Sequence, residues 1–185
     1  MPNFTRKAIQ ETFISLLNER PLKQITVKDI VDACGINRNT FYYHFADIPT
    51  LLQELITEDA VNIIKSYPTL DSIEQCLEVA LQFAIKNKRA VLHIYNSVSR
   101  HVYEQYLMQV CDYVITTYCN ALFGDKKLSD ADKALIINLY KCTCFGIVID
   151  WMANGMRADI LSDLHRLCAL QHGAIETMID RAAAD

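Results

Sequence analysis

Residues 26–45 read TVKDIVDACGINRNTFYYHF, and their spacing predicts two short helices joined by a tight turn. Thr26 suits an N-cap, because its hydroxyl can accept from a first-turn backbone N–H, and Asp29 adds a carboxylate at the positive end of that helix. Val27, Ile30 and Val31 recur at helical spacing and define one apolar face, while Lys28, Asp29 and Asp32 fall on the wet side. Gly35 can take a left-handed backbone conformation cheaply and should end the helix. Ile36 then serves as an apolar plug, and Asn37 is placed to cap a second helix over 38–45. On that helix Phe41 and Phe45 stand four residues apart and point inward. Arg38, Asn39, Thr40, Tyr42, Tyr43 and His44 cover the rest. One cation, one amide, two phenols and an imidazole on one short outward face match the donors that grip phosphates and base edges. The pattern is that of a helix-turn-helix whose second helix enters the DNA major groove.

The chain around this stretch has 185 residues, enough for one or two small domains with a real core. Half its residues are hydrophobic, with only five Gly and four Pro, which points to a helix-rich globular protein. Residues 1–20 mix Arg6, Lys7, Glu11, Glu19 and Arg20 among apolar positions, so no secretory leader is expected and the location read is cytoplasmic. The seven cysteines (34, 76, 111, 119, 142, 144, 168) are scattered and odd in number, which fits reduced thiols better than a disulfide framework. Net charge is −4, but unevenly spread: residues 1–50 hold six cations against five acids, residues 51–185 twelve against seventeen. A weakly basic head would bind DNA mainly by shape and hydrogen bonding, and an acidic body would confine contact to it.

In chain order, residues 5–18 form an amphipathic helix with Ile9, Phe13, Leu16 and Leu17 as its buried stripe. Arg6 and Lys7 near its start are unfavourable for the helix dipole, and either reach a phosphate or sit as solvated surface. Pro21 ends the segment. Asp47 should cap a long helix to about residue 65, with Pro49 in its first turn and Leu51, Leu52, Leu55, Ile56 and Ile63 apolar, closed by Pro68. Three helices follow, at 71–86, 88–96 and 99–123. Their inward positions include Phe83, His93, Tyr95, Tyr103, Tyr106, Met108, Tyr113 and Tyr118. A buried phenol needs a partner, so this interior implies either internal hydrogen bonds or a space for ligand or water. Phe83, His93, Tyr95, Tyr103, Tyr106, Met108 and Tyr113 are the candidate ligand pocket.

Two long helices end the chain, at 129–154 and 159–183, the first opened by a Ser129–Asp132 capping box and ended by Gly155. The run 134–153 approaches membrane length, but Lys141 and Asp150 interrupt it, and a helix buried on most sides is expected, with no membrane partner. Leu135, Leu139, Cys142, Gly146, Ile149 and Ala153 recur at steps of four and three. Leu161, Leu164, Cys168, Gln171, Ile175 and Met178 do the same. That spacing is a helix–helix seam, and doubling it about a two-fold axis gives a four-helix bundle. Leu135, Leu139, Cys142, Gly146, Ile149, Leu164, Cys168, Ile175 and Met178 are therefore the expected homodimer interface.

Catalytic, cofactor and metal chemistry find no support. Cys142 and Cys144 would point about 200° apart on a helix, too far for one shared metal. His44, His93, His101, His165 and His172 show no ligand clustering, and no phosphate loop or nucleophile elbow occurs. No enzyme is expected.

The run ITVKDIVDACGINRNTFYYHFADIPTLL, residues 25–52, resembles the DNA-binding region of the TetR family of transcriptional regulators over roughly the first quarter of the chain. Beyond it the likeness lies only in length, helicity and terminal pattern. The resemblance implies an all-α protein of about nine helices: a three-helix head over 1–46 and a helical effector-binding and dimerisation body over 47–185. It implies a homodimer on a palindromic double-stranded operator, commonly a repressor, modulated by a small-molecule effector. Arg38, Asn39 and Tyr43 would read or approach base edges, and Thr26, Lys28, Thr40, Tyr42 and His44 would hold phosphates. Ile48 departs from relatives that carry a phosphate-binding Lys nearby, which removes one backbone contact. Two readings from other classes stay open here: a protein-interaction co-regulator with a relic helix-turn-helix, and a thiol-based redox sensor.

Overall fold

The computed structural model describes residues 2–66, 73–97 and 100–183, and among these it is helical with no strand. In chain order the elements are α1 (Pro2–Glu19), a 3-10 turn (Leu22–Gln24), α2 (Val27–Cys34), α3 (Arg38–His44), α4 (Ile48–Ser66), α5 (Ile73–Lys86), α6 (Lys88–Tyr95), α7 (Arg100–Phe123), α8 (Asp130–Ala153), α9 (Ile160–Gln171) and α10 (Ala174–Ala182). Pro68, expected to close α4, and the helix starts expected at Asp71 and Ser99 lie outside the described residues, as does the side chain of Ile63. The helices gather into two compact units, Met1–Asp59 with Phe83–Tyr106 and Ala60–Gln82 with Leu107–Asp185.

In the first unit, Ile9, Phe13 and Leu17 of α1 are buried one turn apart, as the apolar stripe required. Ile30 and Val31 of α2, Phe41 of α3, Phe45, and Leu51 and Leu52 of α4 are buried as well. The helix-turn-helix is held by local chemistry. Thr26 Oγ1 accepts from Asp29 N at 3.2 Å while Asp29 Oδ2 accepts from Thr26 N at 2.8 Å, a reciprocal cap that contributes about 1 kcal/mol. Gly35 sits at φ +68, and this left-handed residue lets Ile36 N–H return to Val31 O at 3.0 Å. Asn37 Oδ1 then accepts from Thr40 N at 2.8 Å and starts α3. Asp47 does the same for α4 through Thr50 N at 2.7 Å. On its other side α1 meets α6: His93 Nδ1 lies 2.7 Å from Leu17 O, and since a carbonyl only accepts, Nδ1 donates. Asn18 bridges Asn87 Oδ1 and Ala90 N, each at 3.2 Å.

The second unit has a core of Ile115, Cys119, Phe123, Leu128, Ile136 and Ile179, with Tyr140, Ile175 and Met178 at its margin. Ser129 caps α8 by accepting from Asp132 N at 3.0 Å. After Asn154, Gly155 (φ +76) reverses the chain, Met156 N–H returns to Trp151 O at 2.8 Å, and Trp151 Nε1 donates to Arg157 O at 2.8 Å. The single helix expected over 159–183 is two. The chain breaks at His172 and Gly173, whose φ of +77 is incompatible with a continuing helix, and α10 begins at Ala174. The seam therefore does not run unbroken through Gln171. α8 also differs from the helix buried on most sides that its composition suggested. Only Ile136, Trp151 and Met152 are buried along it, and it is the one helix among the described residues long and apolar enough to cross a membrane by length and composition.

Candidate nucleic-acid interface

The outward side of α3 is built on Phe41 and Phe45, buried with ring centroids 6.0 Å apart. That ridge turns Arg38, Asn39, Tyr42 and Tyr43 to solvent, Tyr43 at 78% exposure, and leaves Thr40 and His44 half-covered. The Tyr43 ring meets His44 edge-on at 5.0 Å. Lys28 on α2 is exposed, and neither it nor Arg38 makes an ion pair with a described residue. Seven residues of helix thus present a guanidinium, an amide and two phenols together, at a width that a major groove accepts.

Two of the expected phosphate-holding hydroxyls are already engaged. Thr26 Oγ1 donates to Asp29 Oδ2 at 2.6 Å, and Thr40 Oγ1 donates to Asn37 Oδ1 at 3.0 Å. Each hydroxyl proton is committed to a cap, so a phosphate at either position must displace it or accept from a neighbour. The Thr26 side-chain and backbone hydrogen bonds hold the Asp29 carboxyl below the usual aspartate range, and Arg20, 3.2 Å away, adds to this. Arg6, expected either to reach a phosphate or to sit as solvated surface, is paired within the protein. Its Nη2 lies 2.6 Å from Glu54 Oε2 and 2.5 Å from Glu58 Oε1 on α4. Lys7 is exposed beside Glu11 at 3.8 Å. Sequence reasoning missed the Arg6 cluster, although Arg6 with Gln10 and Glu54 with Glu58 show the four-residue spacing that puts each pair on one helix face.

The candidate pocket residues divide between the units: Phe83, His93, Tyr95, Tyr103 and Tyr106 belong to the first, Met108 and Tyr113 to the second. Several have partners inside the protein. His93 bonds Leu17 O, Tyr106 hydroxyl donates to Gln53 Oε1 at 3.2 Å, and the Arg100 guanidinium lies 4.2 Å from the centroid of the buried Tyr95 ring. Tyr103 is buried too. Phe83 and Tyr113, expected to face inward, are exposed at 41% and 43% on the single chain. Tyr113 misses the buried stripe of α7, which runs through Cys111, Val114, Ile115, Tyr118 and Cys119. Phe83 stands within one turn of the end of α5 at Lys86.

Of the expected dimer residues, Leu135, Leu139, Cys142 and Gly146 are exposed along one side of α8, and nothing stands within 4 Å of a Cβ built at Gly146. Ile149, Leu164, Cys168, Ile175 and Met178 are half-buried, the last two against the core of their own unit. Cys142 and Cys144 face apart. The Cys144 thiol instead shares a hydrogen bond with Cys111, which pulls Cys144 down and pushes Cys111 up. Among the described residues no group of three or more His, Cys, Asp or Glu is arranged to hold a metal ion.

Three N-terminal helices with a solvent-facing α3, in a chain that is helical throughout its described residues, have the form of a helix-turn-helix DNA-binding regulator of transcription. Residues 12–55 match the model of bacterial regulatory proteins of the tetR family, and residues 71–173, over half the chain, match that of a transcriptional regulator C-terminal region. The chain belongs to the TetR family of transcriptional regulators. The uncharacterized helix-turn-helix regulator YxbF of Bacillus subtilis (strain 168) is 39% identical over 61 residues, 32% of this chain. The chain spans only 16% of that relative's length. The dihydroxyacetone kinase operon activator DhaS superposes with TM-score 0.73 at 20% identity, covering 90% of this chain and 95% of its own. A TetR regulator from Rhodococcus sp. RHA1 gives 0.57 at 14% identity over 92% and 97%. NalD, the secondary repressor of the MexAB-OprM multidrug efflux pump in Pseudomonas aeruginosa, gives 0.56 at 15% identity over 91% and 95%. These structures share the fold. Regulators of this family bind DNA, commonly act as dimers with small-molecule effectors, and are not enzymes.

Proposed function

We propose that this regulator is a homodimer whose two heads bind the halves of a palindromic operator, that it represses transcription, and that a small effector in the body releases it. The observation that carries the reading is the α3 surface: Arg38, Asn39, Tyr42 and Tyr43 exposed over the buried Phe41 and Phe45. Arg38, Asn39 and Tyr43 approach base edges, and Lys28, Tyr42 and His44 hold phosphates, with Thr26 and Thr40 joining once their cap hydrogen bonds open. Pairing of two chains rests on the open apolar side of α8 at Leu135, Leu139, Cys142 and Gly146. The effector shifts DNA affinity only by as much as it distinguishes the DNA-competent head spacing from the alternative. Repression follows NalD, described as a repressor; DhaS, described as an activator, supplies the opposite outcome.

Selecting duplexes from a random pool with the purified protein tests the reading, and a recovered inverted repeat is expected. A non-repeated motif would remove the symmetric dimer, and the absence of any enriched sequence would remove specific DNA recognition. Transcription from a promoter bearing the recovered site, which should fall when the protein is added, separates repression from activation.

A further inference from the structure

We propose that Arg6 is a positioning residue for DNA recognition: through Glu54, Glu58 and the ring of Phe45 it sets the angle between α4 and the recognition helix, without touching the duplex. The proposal rests on the head's DNA-binding role argued above. Arg6 Nη2 meets Glu54 Oε2 at 2.6 Å and Glu58 Oε1 at 2.5 Å, and its Cζ lies 5.5 Å from the Phe45 ring centroid. One turn along α1, Gln10 Nε2 donates to Glu58 Oε2 at 2.8 Å. α1 therefore grips one face of α4 at two successive turns.

Three features make this a positioning device. First, the cation is outnumbered: one guanidinium faces two carboxylates, so the cluster is net negative and repels a phosphate. Second, the side chain is only 31% exposed and its Nε is buried without a partner, so the guanidinium is seated against protein instead of reaching outward. Third, Phe45 closes α3. Its N–H returns to Phe41 O at 2.9 Å and its buried ring packs on Phe41, which carries the reading face. A tilt of α4 that withdraws Glu54 and Glu58 strands a half-buried cation on that ring. The cluster is therefore at lowest free energy for one α4 direction. A planar guanidinium can stack on a ring while its fixed fork of N–H donors meets both acceptors, a geometry that a compact ammonium on a flexible stem holds less well.

The test is a titration of full-length protein with a selected duplex across a salt series. The isosteric pair Glu54→Gln and Glu58→Gln removes two negative charges beside the head, which would tighten binding if charge alone mattered. Positioning predicts the opposite sign, a loss of about tenfold. Arg6→Ala should weaken binding by about tenfold with the slope of log K against log salt unchanged, Arg6→Lys should recover part of that, and the triple variant should be no weaker than Arg6→Ala. A slope shallower by about 0.9 in Arg6→Ala makes Arg6 a phosphate contact and overturns the proposal. Tighter binding by the Gln pair, or variants indistinguishable from wild type, overturns it too. If Arg6→Ala loses its helical circular dichroism, the Gln pair and Arg6→Lys carry the test alone. A wild-type protein that binds no selected duplex removes the DNA reading as well, which distinguishes the two failures.

Discussion

The outward faces of α3 and α8 are both uncovered on the single chain, and their chemistry is opposite. α3 shows Arg38, Asn39, Tyr42 and Tyr43 over a closed interior of Phe41 and Phe45. α8 shows Leu135 at 67% and Leu139 at 49% exposure, with Cys142 and Gly146 along the same side. An exposed polar face above a filled core costs little in water. A contiguous apolar face in water is unfavourable by roughly 25 cal/mol per Å², which favours covering it with another apolar surface. One helix is finished by its own chain and the other is not.

That contrast can be broken at its strongest point by cutting the support of α3. Phe41→Ala should lower unfolding free energy by about 3–5 kcal/mol in denaturant titration, since Phe41 is wholly buried. A loss near zero would mean that the head's interior does not hold the reading face. Next, Leu139→Arg should leave the single chain folded, because the side is already open, yet weaken self-association by about 2 kcal/mol or more. Sedimentation velocity checks it, and an unchanged dimer would move the interface off α8. A smaller effect is expected at the reading face itself. Arg38→Ala should weaken binding to a selected operator by about 1–3 kcal/mol and to scrambled DNA far less. Tyr42→Phe should weaken both alike, and equal losses for Arg38→Ala would demote it to a backbone contact. The mildest effect concerns acid. Asp29 has its carboxyl lowered by Thr26, so its contribution to stability is complete above the ordinary aspartate pKa of about 4 and fades as pH falls through the lower folded value. Asp29→Asn should remove that part of the acid limb in melts taken from neutral pH downward.

The head was legible because its signals are local. Thr26 with Asp29, Gly35, and Asn37 act within four residues of where they stand, and each makes the bond its position demands. Phe41 and Phe45 needed only helical spacing. The body was read less well where two elements compete. The apolar steps at Cys168, Ile175 and Met178 cross Gly173 without interruption and so hide the break, yet backbone conformation decides and α9 stops. Tyr113 looked inward only as one of a cluster of aromatics. The stripe of α7 that is actually covered leaves it outside.

Chain order and side-chain type were sufficient for what depends on neighbours in sequence: the caps, the turn, the helices and the polar face of α3, and through them the family. Packing alone decided matters between residues far apart. It made Arg6 the partner of Glu54 and Glu58, 48 residues and more away. It set the Cys144 thiol against Cys111 and tied His93 to Leu17. The reason is that a charged or polar side chain takes whichever acceptor the folded chain brings within 3 Å, and spacing along the chain carries no record of that distance.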